Sequence, residues 1–163
     1  MPLYHAIMCV DECEGVERIE PMPGRAWGMR FICSSCREES STFMYVSNDE
    51  LYKREGGSHH FVSKCKACKS DVTADVMQVP AGSGYFSAVE DNALNVVASF
   101  EVRGGQPTAM EVNDQWVVVA NSGATFEEVD LSVDWCDYDE KGQTSVTVSG
   151  VTVEFEKAKK LKN

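Results

Sequence analysis

Ser145-Val146-Thr147-Val148-Ser149-Gly150-Val151-Thr152-Val153-Glu154-Phe155 sets β-branched residues in alternation along eleven positions, broken only by one glycine. β-Branched side chains are stiff at χ1 and fit a pleated surface, so the run predicts a long strand with one buried face. Leu94-Asn95-Val96-Val97-Ala98-Ser99-Phe100-Glu101-Val102-Arg103 repeats the pattern, with Leu94, Val96, Ala98, Phe100 and Val102 at period two. Trp27–Ile32, Thr42–Val46, Val72–Val79 and Trp116–Ala120 are further strands, and Tyr4–Val10 reads as an edge strand opening the fold. No helix of about twelve residues emerges. Glu50–Glu55 has room for one helical turn, and Ala124–Leu131 is ambiguous. The expected fold class is all-β, with two β-rich lobes or sheets in one compact chain.

The glycine-rich stretch Pro80-Ala81-Gly82-Ser83-Gly84 places a boundary near residue 85, between an N-terminal lobe (1–85) and a C-terminal lobe (86–163). Gly56-Gly57 marks a loop. The chain of 163 residues is long enough for one domain or two small lobes, and its hydrophobic content of 43% suits a packed core.

Charge separates the two stretches. From Ser83 to Glu156 there are 14 acidic residues against Arg103 and Lys141, and the whole chain carries a formal charge of −11. An acidic surface repels phosphate backbones, so no nucleic-acid partner is expected. The tail Lys157-Ala158-Lys159-Lys160-Leu161-Lys162 is too short to reverse that expectation and reads as a solvated end. No run of about 18 apolar residues exists to cross a membrane, and Met1–Glu12 lacks a secretory pattern, so the cytoplasm is the expected compartment, with the nucleus also compatible.

In a reducing compartment, seven cysteines read as a metal site plus leftover thiols rather than a disulfide framework. Cys33-Ser34-Ser35-Cys36 and Cys65-Lys66-Ala67-Cys68 are two CxxC pairs with 28 residues between them. A two-residue spacer lets both sulfurs of a pair turn toward one ion, and two such pairs complete a tetrahedron. The expectation is one structural Zn²⁺ per chain held by Cys33, Cys36, Cys65 and Cys68. It is preferred to a single thiolate-bound iron and to a redox pair, because strand-like sequence rather than a βαβ pattern flanks both pairs. Arg37, Lys64, Lys66 and Lys69 stand close enough in sequence to moderate the charge of four thiolates.

The remaining candidates are weaker. Cys9 and Cys13 read as incidental or partly buried thiols, Cys136 as isolated, and His59 and His60 as loop residues made unnecessary by a complete set of cysteines. Asp134-Trp135-Cys136-Asp137-Tyr138-Asp139-Glu140-Lys141 combines carboxylates with aromatics and reads as a turn with an anchor before the last strand, or as a partner surface. It lacks the ligand order and central glycine of a calcium loop. No Ser-His-Asp order, phosphate loop, dinucleotide fingerprint or HExxH occurs, so no enzyme is expected.

Several spaced features resemble one family. Trp27 ahead of Cys33, Glu38 after Cys36, Gly57-Ser58 ahead of Lys64-Cys65-Lys66-Ala67-Cys68, and Phe100-Glu101-Val102-Arg103-Gly104 follow an order seen in the eukaryotic CXXC-motif-containing zinc-binding proteins. Ser122-Gly123-Ala124-Thr125-Phe126 and Asp134–Lys141 look like that family's later motifs, so the resemblance runs from about Arg25 to Val148. It implies a small, mostly β protein with two related halves, one zinc on four cysteines and no established enzymatic activity. Ser34 stands where a knuckle glycine is common, and Val102 where a cysteine is frequent.

The leading functional expectation is therefore a non-enzymatic cytosolic zinc-binding protein that acts, as a monomer, through an unidentified protein partner. The alternative is a metal-handling factor exchanging zinc or Cu(I) with a thiolate partner. The third is an enzyme with an unrecognised pocket, for which Cys136, Asp137 and Asp139 are the first candidates.

Overall fold

Alternating β-branched sequence becomes sheet throughout. The structure, a computed structural model, describes residues 2–54, 57–88 and 95–158, and every regular element among them is a strand. In chain order these are β1 (Leu3–Glu14), β2 (Val16–Pro21), β3 (Trp27–Cys33), β4 (Met44–Val46), β5 (Tyr52–Arg54), β6 (Gly57–His59), β7 (Phe61–Lys64) and β8 (Asp71–Met77). They continue as β9 (Phe86–Ser87), β10 (Val96–Arg103), β11 (Gly105–Met110), β12 (Trp116–Ala120), β13 (Thr125–Val129), β14 (Trp135–Asp139) and β15 (Thr144–Lys157). Leu94, Glu55, Gly56 and the tail from Lys159 lie outside the described residues.

All pairings are antiparallel. The largest sheet runs β14-β15-β1-β10-β8-β7, two smaller ones run β13-β12-β2-β9 and β11-β3-β4, and β5 pairs with β6. The large sheet reads the same way outward from its central pair: β15 and β14 flank β1 as β8 and β7 flank β10. β1 turns into β2 at Gly15 (φ +72°), and β10 turns into β11 at Gly104 (φ +80°), both in the left-handed region that glycine tolerates. β2 then pairs with β12, which pairs with β13, as β11 pairs with β3, which pairs with β4. The two related halves thus exchange one strand each, and strands from both sides of residue 85 share each of the three larger sheets.

Three local expectations change. Tyr4–Val10 is no edge: β1 lies between β15 and β10, because the last strand reaches back to pair with the first from Tyr4↔Lys157 to Glu14↔Thr147. β10 is buried on both faces over Val96–Phe100 rather than on one; on its second face, fully buried Ser99 Oγ lies 2.8 Å from His5 Nδ1. The two ambiguous segments are extended, with Thr125–Val129 paired to β12 and Tyr52–Arg54 to β6, since sheet partners supply backbone hydrogen bonds that a single helical turn lacks.

One core joins the halves. Trp27 meets Phe100 and Trp116 edge-on, with ring centroids 5.7 and 5.9 Å apart, beside Met8, Ile19 and Met29. Each such side chain contributes about 1.5–3 kcal/mol by leaving water. Arg25, 5% exposed, lies between the two tryptophans, its Cζ 4.1 Å from the Trp27 ring centre and 4.4 Å from that of Trp116. Its guanidinium donates to the Gln115 carbonyl (2.9 Å) and to Asn113 Oδ1 (3.0 Å). Burial lowers its pKa to about 10, against the pull of Asp114 and Glu111, so it remains a cation at neutral pH.

Candidate metal centre

Each CxxC pair sits in a turn that strand pairing closes. In the first, between β3 and β4, the Cys33 N–H donates to the Glu38 carbonyl and the Arg37 N–H to the Cys33 carbonyl, both at 2.9 Å. In the second, between β7 and β8, the Cys65 N–H donates to the Ser70 carbonyl and the Lys69 N–H to the Cys65 carbonyl, again both at 2.9 Å. Arg37 (φ 66°) and Lys69 (φ 65°) take the same left-handed conformation one residue after each pair. The departure at Ser34 therefore leaves the knuckle intact, since the left-handed residue is Arg37 and not Ser34.

The two turns belong to different sheets and meet sulfur to sulfur. Cys33 Sγ and Cys68 Sγ lie 3.6 Å apart, Cys36 Sγ and Cys65 Sγ 3.5 Å, and all four within 4.8 Å of one another. Four bonds of about 2.3 Å to a tetrahedral zinc place neighbouring sulfurs about 3.8 Å apart, so the donor set fits that ion. Cys33 is buried, Cys65 half-buried, and Cys36 and Cys68 are exposed.

Ionisation of the sulfurs is uneven. The Ser70 hydroxyl and N–H bring Cys68 down to about 6, and the N–H groups of Cys68 and Ala67 lower Cys65. At Cys36 a backbone N–H at Glu38 acts downward, but the sulfurs of Cys65, Cys68 and Cys33, together with local desolvation, outweigh it and push the thiol to about 12. Crowded thiols resist losing every proton unless a cation offsets the charge, the behaviour expected of ligands waiting for a metal. Beside the cluster, a cavity of about 240 Å³ is floored by Phe31, Met44 and Val72 and rimmed by Ser40 and Lys64.

The other candidates do not join the cluster. His59 Nδ1 lies 2.8 Å from Asp75 Oδ2, and His60 Nδ1 accepts the Val76 N–H at 2.9 Å, so both rings serve the β6–β8 corner. Cys9 is exposed and Cys13 half-buried on β1. Along β14, successive residues face opposite sides of the sheet, which puts exposed Cys136 away from Asp137 and Asp139. Trp135 packs on Phe126 with ring centroids 5.2 Å apart, leaving Tyr138 as the exposed aromatic of that segment.

Asp139 has a different part, which sequence reading undervalued. The turns β12–β13 and β14–β15 occupy, in the second half, the places of the two cysteine turns. The Asn121 N–H donates to the Gly15 carbonyl (2.9 Å) as the Ser34 N–H donates to that of Gly104 (3.0 Å). Here Asp139, 2% exposed, accepts the Ser122 hydroxyl at 2.6 Å and the Gly142 N–H at 3.0 Å. These bonds, the hydroxyl foremost, hold its pKa below the ordinary carboxylate value. A hydrogen-bonded carboxylate thus joins the turns where the other half gathers sulfurs. Its signal was in the sequence, in Ser122-Gly123 and Asp139–Gly142, but only the fold shows that they meet.

Comparison with known proteins places these features in a wider set. Residues 6–156 match the profile described as "CXXC motif containing zinc binding protein, eukaryotic". A UPF0587 protein of Drosophila melanogaster is 31% identical over 153 residues, covering 90% of this chain and 93% of its own, and one of Nematostella vectensis is 34% identical over 132 residues, covering 79% and 82%. A CXXC motif containing zinc binding protein of Bos taurus is 29% identical over 135 residues, covering 80% and 83%. The crystal structure of C1orf123 superposes with a TM-score of 0.84 at 27% identity, covering 96% of this chain and 99% of that one.

Proposed function

The chain belongs to the eukaryotic CXXC motif containing zinc binding protein family, and from that premise we propose that it is a non-enzymatic interaction module whose zinc, held by Cys33, Cys36, Cys65 and Cys68, is structural. One observation carries the reading: the four sulfurs come from turns of two different sheets, so an ion among them ties β3–β4 to β7–β8. Four thiolates fill a tetrahedral zinc and leave no position for water or substrate. The third expectation, an enzyme built on Cys136, Asp137 and Asp139, loses its motivation, since those groups do not converge. The acidic C-terminal surface suits a partner with basic character, met by a monomer in a reducing compartment.

The test pairs metal content with partner capture. Purified untagged chain should carry one zinc, and chelation should both loosen the fold and abolish capture of a specific protein from a cell extract. Capture that survives complete zinc removal would overturn the reading. Exposure of Cys36 and Cys68 favours a second one, in which a partner thiolate displaces a ligand and the protein hands over zinc or Cu(I). Rapid metal transfer to an acceptor thiolate protein with the fold intact would select it; metal loss only on unfolding would select the clamp.

A further inference from the structure

β2 and β11 hold equivalent places in the two halves, yet only β2 is covered on its outer edge. Val16 and Gly105, each directly after its glycine turn, lie opposite Ala120 and Cys33; further along, Ile19 lies opposite Val118 as Pro107 lies opposite Phe31. On its other side β2 pairs with β9, Arg18 opposite Ser87 and Ile19 opposite Phe86, and the Ala88 N–H donates to the Glu17 carbonyl at 3.0 Å. β11 ends its sheet, and among the described residues no strand pairs with its second edge.

That edge keeps bonding capacity and a groove beside it. The Glu111 N–H donates to the Gly28 carbonyl at 2.8 Å, so by the alternation of antiparallel pairs Met110 turns its own N–H and C=O away from β3. Pro107 has no N–H and offers an acceptor alone, enough for a short pairing such as the two residue pairs of β9. The groove, about 520 Å³, runs between Pro107, Met110 and Val112 on one side and Val151, Val153 and Phe155 of β15 on the other. Val112, Val151 and Phe155 are only partly buried, while Phe86 at the covered edge is 9% exposed. Glu154 sits between Val153 and Phe155 with its side chain on the opposite face of β15, within the stretch that holds 14 acids against two bases.

We propose that the open edge of β11 receives an extended segment of a partner protein, antiparallel to β11, with an aromatic residue in the groove where β9 supplies Phe86, and lysine or arginine flanking it. Main-chain pairing supplies affinity in this mode and the alternate side chain supplies selectivity, while the basic flanks answer the acidic excess of the stretch around the groove. The proposal rests on reading the chain as an interaction module and names the chemistry of its partner.

A synthetic peptide with the Gly84–Ala88 sequence between two pairs of lysines is the probe, titrated into the isotope-labelled, zinc-loaded full chain. Saturable amide shifts are expected over Gly105–Val112 and Val151–Phe155. Peptides with an N-methylated phenylalanine, or with alanine in its place, should bind about tenfold more weakly, as should the parent peptide to the Val112→Lys protein. No saturable shift up to about 1 mM, shifts mapping elsewhere, or equal binding of all three peptides would overturn the proposal. Concentration-dependent shifts of the β11 amides without peptide, with a doubled molecular mass, would assign the edge to a second copy and overturn it too. Zinc-dependent partner capture with no peptide binding would defeat this edge alone; peptide binding with capture that ignores zinc would defeat the functional reading and leave the edge standing.

Discussion

Asp139 accepts the Ser122 hydroxyl across 2.6 Å at the place in the second half that corresponds to the four cysteines of the first. The carboxylate and hydroxyl hold two hairpin turns together without a metal. Asp139→Ala should lower stability to denaturant while leaving zinc content at one per chain, because it strands the Ser122 hydroxyl and the Gly142 N–H at the end opposite the sulfurs. Because the folded-state pKa is depressed, the contribution of Asp139 is complete above its unfolded pKa and fades as pH falls through the folded value. The stability gap between wild type and Asp139→Asn should therefore narrow below about pH 4; a gap constant with pH would refute the role.

Cys33→Ser and Cys68→Ser should each lose zinc and about 4 kcal/mol or more of stability, since removing one ligand releases turns from two sheets. Hydrogen exchange gives the sharper readout. Amides of residues 33–40 and 64–71 should lose protection, while those of 120–124 and 139–144 keep it. Uniform loss across both ends would show that zinc supports the whole fold instead.

The two glycine turns differ in how closely they are approached. A Cβ at Gly104 would lie 2.0 Å from the Asp71 carbonyl oxygen, and one at Gly15 would lie 3.0 Å from that of Ser145. Both positions pay the left-handed penalty of about 1–2 kcal/mol, but only Gly104 adds a backbone collision, so Gly104→Ala should cost about 4 kcal/mol or fail to fold. Chemical denaturation of both variants checks the order; equal losses would contradict it.

Arg25 tests the junction of the core. Arg25→Ala should cost about 3 kcal/mol, and Arg25→Lys about half of that, because an ammonium keeps the charge between Trp27 and Trp116 but not the planar stacking or the paired donors. Thermal unfolding and tryptophan fluorescence report both. Zinc content should not change in either variant.

Much of this architecture is legible in local pattern. Trp116–Ala120, Trp27–Ile32 and the run ending at Phe155 announce themselves as strands through alternation and β-branching, and the CxxC spacing names all four sulfurs that meet. What hides is pairing between distant segments. Tyr4–Val10 looked like an edge because nothing near it in sequence is its partner; its neighbours are β10 and β15. Ser122 and Asp139 each look like ordinary turn residues until the hairpins bring them together, and His59 gave no sign of Asp75. Boundaries suffered likewise: the glycine-rich stretch before residue 85 is a conspicuous break in composition, while the exchange of β2 and β11 leaves none.

That exchange governs how the chain can be made. A fragment ending near residue 85 would lack β11, the strand beside its cysteine-bearing β3, and the remainder would lack both β1 and β2. Neither piece holds a complete set of strands, so the two should become ordered only when mixed. On the ribosome the large sheet has to wait for its final strand, because β15 pairs along almost the full length of β1. Until β15 has been made, β1 keeps an unfilled edge, and an unpaired strand edge of that length is open to pairing with the wrong segment.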